Sequence, residues 1–127
     1  MVIASSAIII KDNKILLLKR SNYTKVFPEC WACPGGRAEP NETPEQNVVR
    51  EVKEEIDLDF KPTQLFATGK YQDRELYRFL GEWKGKIKIQ KEEIDDCKWF
   101  SYDEAVKLEL ALDYREIIEK LRKKELI

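Results

Sequence analysis

The sequence predicts an α/β (α+β) fold in which helices pack on a mixed β-sheet, and three observations predict it. Apolar runs of strand length lie on both sides of one well-capped amphipathic segment. A second amphipathic segment closes the chain, and no repeat, linker or low-complexity stretch interrupts the order. With 127 residues there is room for one core, so a single domain over residues 1–127 is expected.

Residues 2–10 and 15–20, "VIASSAIII" and "ILLLKR", are strands separated by the polar turn "KDNK", and their near-continuous hydrophobicity implies cover on both faces. The stretch "SNYTKVFPECWACPGG" reads as a loop, a short strand around Trp31 and a tight bend at Pro34, Gly35 and Gly36. A helix follows at about 44–56. Thr43 is its N-cap, Pro44 its first residue and Gln46 the partner that completes a capping box. Val48, Val49, Val52 and Ile56 form its apolar stripe, away from which lie Glu51, Glu54 and Glu55. Residues 59–70, 75–83, 86–90 and 96–100 carry strand patterns, including the alternation "KIKIQ". Ser101 with Glu104, and Asp113 with Glu116, each cap a later helix. Tyr114, Ile117, Ile118 and Leu121 give the second of these a packing face.

Composition narrows the chemistry. Lys plus Arg at 23 against Asp plus Glu at 24 gives a net charge of -1, so no global positive field draws in nucleic acid or an anionic membrane. The N-terminal apolar run is too short and too soon interrupted for a signal peptide or a membrane span, and a cytoplasmic protein is expected. Cys30, Cys33 and Cys97 cannot all pair. With no second CxxC and no histidine to close a zinc site, they read as reduced, partly buried thiols. The absence of histidine also removes Ser-His-Asp and Cys-His catalysis. What is left is carboxylate, Lys, Arg or Tyr chemistry, or a hard metal ion.

Carboxylates are concentrated in "REVKEE", at the end of the first helix. Glu51 neighbours both Glu54 and Glu55 across one turn, a spacing that costs about 0.2 to 0.5 kcal/mol per like-charged pair. Acids in a last turn also face the negative end of the helix dipole. Two readings are open: a solvated face offset by Arg50 and Lys53, or a set of oxygen ligands for a divalent cation such as Mg²⁺. The preceding Gly35-Gly36, able to bring backbone close to an ion or phosphate, favours the second.

The run from Gly36 through Glu42 to "REVKEEIDL" resembles the box of the Nudix hydrolases, G-x(5)-E-x(7)-R-E-U-x-E-E-x-G-U with U a bulky aliphatic residue. Gly36, Glu42, Arg50, Glu51, Val52, Glu54, Glu55 and Leu58 match, and Asp57 stands where the second glycine belongs. Trp31-x-x-Pro34-Gly35-Gly36, the length and the element order resemble the family too. The resemblance implies a Nudix-like α/β/α sandwich with a mixed β-sheet. It also implies a MutT-like pyrophosphohydrolase using Mg²⁺ or Mn²⁺ and an activated water.

Carried over residue by residue, the resemblance makes Glu51, Glu54 and Glu55, with the Gly35 carbonyl, the metal ligands. Arg50 and Glu42 orient the acids from behind, next to Gly36. Glu51 is the favoured general base, with Glu93 or Glu92 as a fourth acid from a loop; Glu93 reads equally as a solvated loop acid. Arg20 and Lys19 are candidates for substrate phosphate. Phe27, Tyr71 and Tyr77 are candidates to stack on a base, and Asp113 either reads a purine edge or only starts a helix. The expected partner is a small nucleotide, acted on by a monomer or homodimer with no dedicated nucleic-acid surface. A nucleoside triphosphate, canonical or oxidised, is the default substrate. The alternatives are ADP-ribose, another nucleotide sugar, a dinucleoside polyphosphate, or nucleotide sensing without catalysis.

Overall fold

The computed structural model describes residues 1–127. Its strands are β1 (Val2–Ile8), β2 (Ile10–Lys11), β3 (Lys14–Arg20), β4 (Trp31–Ala32), β5 (Gly35–Arg37), β6 (Asp59–Tyr71), β7 (Arg74–Lys84) and β8 (Ile94–Phe100). Its helices are α1 (Pro44–Ile56), α2 (Tyr102–Ala105) and α3 (Tyr114–Lys123). Residues 1–9 with 34–91 form one compact unit, and residues 10–33 with 92–127 another. The strands accordingly fall into two sheets, one per unit, where the sequence pattern suggested one.

The first unit holds the mixed sheet β5-β1-β7-β6, with β1 antiparallel to β5 and parallel to β7. A parallel pair needs a long crossover, and α1 lies within it. The helix begins as its sequence dictates. Thr43 Oγ1 accepts from the Gln46 amide at 3.1 Å, Gln46 Oε1 accepts from the Thr43 amide at 3.0 Å, and Pro44 occupies the first turn. Val48, Val52 and Ile56 are fully buried, while Val49, expected in the same stripe, is 39% exposed. Each fully buried aliphatic residue contributes about 1.5 to 3 kcal/mol, far above the like-charge penalty of about 0.2 to 0.5 kcal/mol per glutamate pair. The helix can therefore carry its acids without losing its fold. Glu51, expected off the packed face, is itself buried, as is Asn47 one turn earlier.

Beyond β7 the chain departs from expectation. Residues 86–90 form no strand and run as a strap along the end of α1. The Lys88 amide donates to the Ile56 carbonyl at 2.9 Å and the Gln90 amide to the Glu55 carbonyl at 2.9 Å. Gln90 Nε2 donates to the Lys53 carbonyl at 2.7 Å. A helix leaves its last carbonyls without partners, and here they take the place of a neighbouring strand. The alternation "KIKIQ" was real, but its hydrogen bonds go to a helix.

Asp57 ends α1 in the left-handed conformation, at φ 60° and ψ 28°, and its carboxylate meets Lys53 Nζ at 3.2 Å. Glycine takes this conformation freely, whereas an L side chain pays a steric cost. Asp57→Gly is expected to raise stability by roughly 0.5 to 1 kcal/mol, because an exposed ion pair offsets only part of that cost. A melting comparison checks this, and an unchanged or lower melting point would refute strain at the cap.

In the second unit β3 pairs antiparallel with β2, β4 and β8. The hairpin from β2 to β3 turns through Asp12 and Asn13, both at positive φ (51° and 62°), as the "KDNK" pattern implies. Ile15 to Leu18 are buried, matching the expected cover on both faces. The α2 cap is a full capping box, with Ser101 Oγ accepting from the Glu104 amide at 3.2 Å. Tyr114, Ile117, Ile118 and Leu121 of α3 are buried together. Asp113 occupies the N-cap position of α3 but its side chain makes no capping hydrogen bond, a correction to its expected role.

Candidate active site

The glycines at the head of the site are not in a bend. Gly35 and Gly36 lie in β5, opposite Ser6 and Ser5 of β1, and neither has positive φ. Their lack of a side chain serves close approach instead. A Cβ at Gly35 would fall 2.2 Å from the Ser5 carbonyl oxygen, and one at Gly36 would fall 2.6 Å from Glu51 Oε2. The strand thus forms a cradle against which the Glu51 carboxylate rests. Glu55 is held by the same strand, its Oε1 accepting from the Gly35 amide at 2.7 Å.

Arg50 organises the acids. Its Nε donates to Glu42 Oε2 at 2.7 Å and its Nη2 to Glu42 Oε1 at 2.9 Å, a two-pronged pair that matches guanidinium to carboxylate geometry. Nη2 also donates to the Arg37 carbonyl at 3.0 Å. Nη1 reaches Glu51 Oε1 at 3.0 Å and Glu54 Oε2 at 3.2 Å. The hydrogen bond from Arg50 holds the Glu42 carboxyl below its usual range, and that same bond, chiefly, holds the guanidinium still more firmly protonated.

This direction fixes a pH dependence. A carboxylate whose folded pKa is depressed stabilises the fold above its unfolded value, about 4.3 for Glu, and that stability is lost as pH falls through the folded value. Glu42→Gln is expected to cost about 1 to 2 kcal/mol at pH 7. The gap to the wild type should close as pH drops below the ordinary carboxylate range. Calorimetric melting between neutral and acid pH checks this, and a gap that stays constant would sink it.

Lys91, which the sequence reading passed over inside "QKEE", completes the cluster. Its Nζ lies 3.5 Å from Glu51 Oε2 and 3.5 Å from Glu54 Oε2. Burial is the largest single influence and lowers its pKa, but Glu51, Glu55 and Glu54 together outweigh it and hold the ammonium above its ordinary value. As the side chains stand, no three acids converge as ligands of one ion: Arg50 and Lys91 take oxygens of Glu51 and Glu54, and the Gly35 amide takes one of Glu55. The donor set nonetheless fits a hard divalent cation. It is all oxygen, one carboxylate is nearly buried in a glycine cradle, and a positive charge already stands between Glu51 and Glu54.

The structure brings Gly35, Gly36, Glu42, Arg50, Glu51, Glu54 and Glu55 together within the first unit. Arg20, Phe27, Glu93 and Asp113 belong to the second. There Arg20 Nε donates to the Val26 carbonyl at 2.9 Å, and the Glu93 carbonyl accepts from the Ser21 amide at 2.8 Å. Phe27 is half-buried at a positive φ of 49°. In the first unit, Tyr77 Oη donates to Glu75 Oε2 at 3.2 Å.

A family model described as the NUDIX domain matches residues 2–121. The ADP-ribose pyrophosphatase of Methanocaldococcus jannaschii is 36% identical, the match covering 92% of this chain and 70% of that protein. The 8-oxo-dGTP diphosphatase of Proteus vulgaris is 33% identical over 70% of this chain and 83% of its own length. Of two further curated relatives the chain spans only 36% and 55%. A structure of MutT, from work on Aliivibrio salmonicida and Vibrio cholerae, superposes with a TM-score of 0.83 at 20% identity, covering 97% of this chain and 98% of that one, a likeness of fold. No helix is long and apolar enough to cross a membrane. With Arg50, Glu51, Glu54 and Glu55 of its box assembled on one helix, and with these matches, the chain belongs to the NUDIX domain family as an enzyme acting on pyrophosphate bonds.

Proposed function

We propose that the chain, as one catalytic domain, hydrolyses the pyrophosphate linkage of a nucleoside diphosphate joined to another group, in the presence of Mg²⁺ or Mn²⁺. The observation that carries this is the clamp of Glu42, Glu51 and Glu54 on Arg50, with Glu51 resting on the Gly36 cradle. The clamp holds these carboxylates in fixed positions as a group, as ligands that share one cation need to be held.

Glu51, Glu54 and Glu55, with the Gly35 carbonyl, would hold the ion, while Arg50 and Glu42 fix the rotamers from behind. When bound, the ion supplies charge neutralisation at phosphate and a lowered pKa for a water. Glu51, nearly enclosed, is the candidate to accept the proton of that water, and Glu93 is a second. Arg20, Phe27 and Asp113 are the candidates for phosphate and base.

On substrate, the M. jannaschii relative shifts the preference toward ADP-ribose, since its match covers 92% of this chain against 70% for the 8-oxo-dGTP diphosphatase. A nucleoside triphosphate releasing pyrophosphate is the second reading, supported by that diphosphatase. The test is product release from ADP-ribose, dinucleoside polyphosphates and canonical or oxidised nucleoside triphosphates, with Mg²⁺ or Mn²⁺ and with EDTA. ADP-ribose turnover abolished by EDTA supports the first reading, and pyrophosphate from triphosphates supports the second. A folded chain that binds these nucleotides and turns over none would overturn catalysis in favour of a sensor.

A further inference from the structure

We propose that Lys91 is an internal counter-ion of the metal site, one that occupies Glu51 and Glu54 in the metal-free chain and must be displaced by the divalent cation. This rests on the metal-site reading above and adds a residue that the family box does not contain.

The strap fixes where Lys91 starts. Gln90 bonds through its amide to the Glu55 carbonyl at 2.9 Å, and through its side chain to the carbonyls of Lys53 at 2.7 Å and Glu54 at 3.3 Å. The residue before Lys91 is therefore tied to the end of the helix that carries the acids. From that anchor the ammonium stands at 3.5 Å from the Oε2 atoms of both Glu51 and Glu54, with its side chain 32% exposed.

The two cations of the cluster are not equivalent. Arg50 is locked by the two-pronged bond to Glu42 and by the Arg37 carbonyl. Lys91 makes longer contacts from a flexible four-carbon stem, with no fixed fork. Carboxylates Glu42, Glu51, Glu54 and Glu55 outnumber these two cations, so negative charge is left over for an incoming ion. A divalent cation taking the oxygens that Lys91 now holds would stand against the ammonium at contact distance, and the less constrained charge gives way. Tethered by the strap, Lys91 then stays at the margin of the site.

The experiment is titration with Mn²⁺ alone, without substrate and at low ionic strength, of the wild type, Lys91→Met and Lys91→Arg, by calorimetry and by electron spin resonance of free Mn²⁺. Lys91→Met is expected to bind Mn²⁺ about threefold to tenfold more tightly, the range two partly exposed ion pairs allow, and Lys91→Arg as weakly as the wild type. The ion-free Lys91→Met chain should melt below the ion-free wild type, and the difference should shrink at saturating Mn²⁺. Wild-type binding with equal or weaker binding by Lys91→Met overturns the proposal and leaves the metal site standing. No Mn²⁺ binding by any of the three overturns the metal site and this proposal with it.

Discussion

Glu54→Gln is expected to lose at least about 10²-fold in kcat with either Mg²⁺ or Mn²⁺, while melting close to the wild type. The two halves of this result come from different physics. The Glu54 side chain is 45% exposed, and it pairs only with Arg50 Nη1 at 3.2 Å and Lys91 Nζ at 3.5 Å. Ion pairs this exposed contribute about 0.2 to 1 kcal/mol, and Gln keeps both the shape and an oxygen that accepts from Arg50. Catalysis has no such substitute. Altering groups that merely orient a ligand commonly costs 10- to 100-fold, so removing the charge of a ligand itself should reach the top of that range or pass it. Glu51 would be the poorer residue to test. It is 7% exposed and rests on Gly36, so a change there disturbs fold and chemistry together. Steady-state product release, titrated with metal, and thermal melting are the two measurements. A variant within tenfold of wild-type kcat would remove Glu54 from the ligand set.

The helix that carries the site was the most legible part of the chain, because its signals are local. Thr43, Pro44 and Gln46 place its start, and Asp57 in a left-handed conformation its end, within the span expected from pattern alone. The box set Arg50 and Glu42 together behind the acids but did not foretell that they pair with each other. What escaped were features set by non-local partners. Residues 86–90 have the alternation of a strand, yet their backbone donors found the open carbonyls of Glu55 and Ile56 in α1, an outcome that periodicity cannot distinguish from a ladder. Lys91 was hidden for the same reason, since its charge matters only because the strap brings it to Glu51. Gly35 and Gly36 do lie against the carboxylate helix, but through close approach to Ser5 and Glu51 rather than a bend. Glu51 looked exposed because helical periodicity reports one packed stripe and does not anticipate a neighbouring strand stripped of side chains.

Arg50→Met is expected to lower stability by about 3 kcal/mol, or about 10 °C in melting temperature for a chain of this size. Methionine preserves most of the aliphatic packing, so the loss measures charge and hydrogen bonding. Without the guanidinium, Glu42 and Glu51, whose side chains are only 13% and 9% exposed, keep their charges with little water to replace the donors. Removing one partner of a buried pair commonly costs 3 to 5 kcal/mol, and the 23% exposure of Arg50 places this site at the lower end. Arg50→Lys should recover little, since a point charge cannot serve both Glu42 oxygens and the Arg37 carbonyl at once. The decisive measurement is a double-mutant cycle with Glu51→Gln. If the damage in Arg50→Met is a stranded carboxylate, neutralising that carboxylate in the same chain should restore about 1 kcal/mol or more, giving a clear coupling. Strict additivity would mean that Arg50 acts through packing alone, and the account of Glu51 as a charge held ready by its arginine would have to be given up.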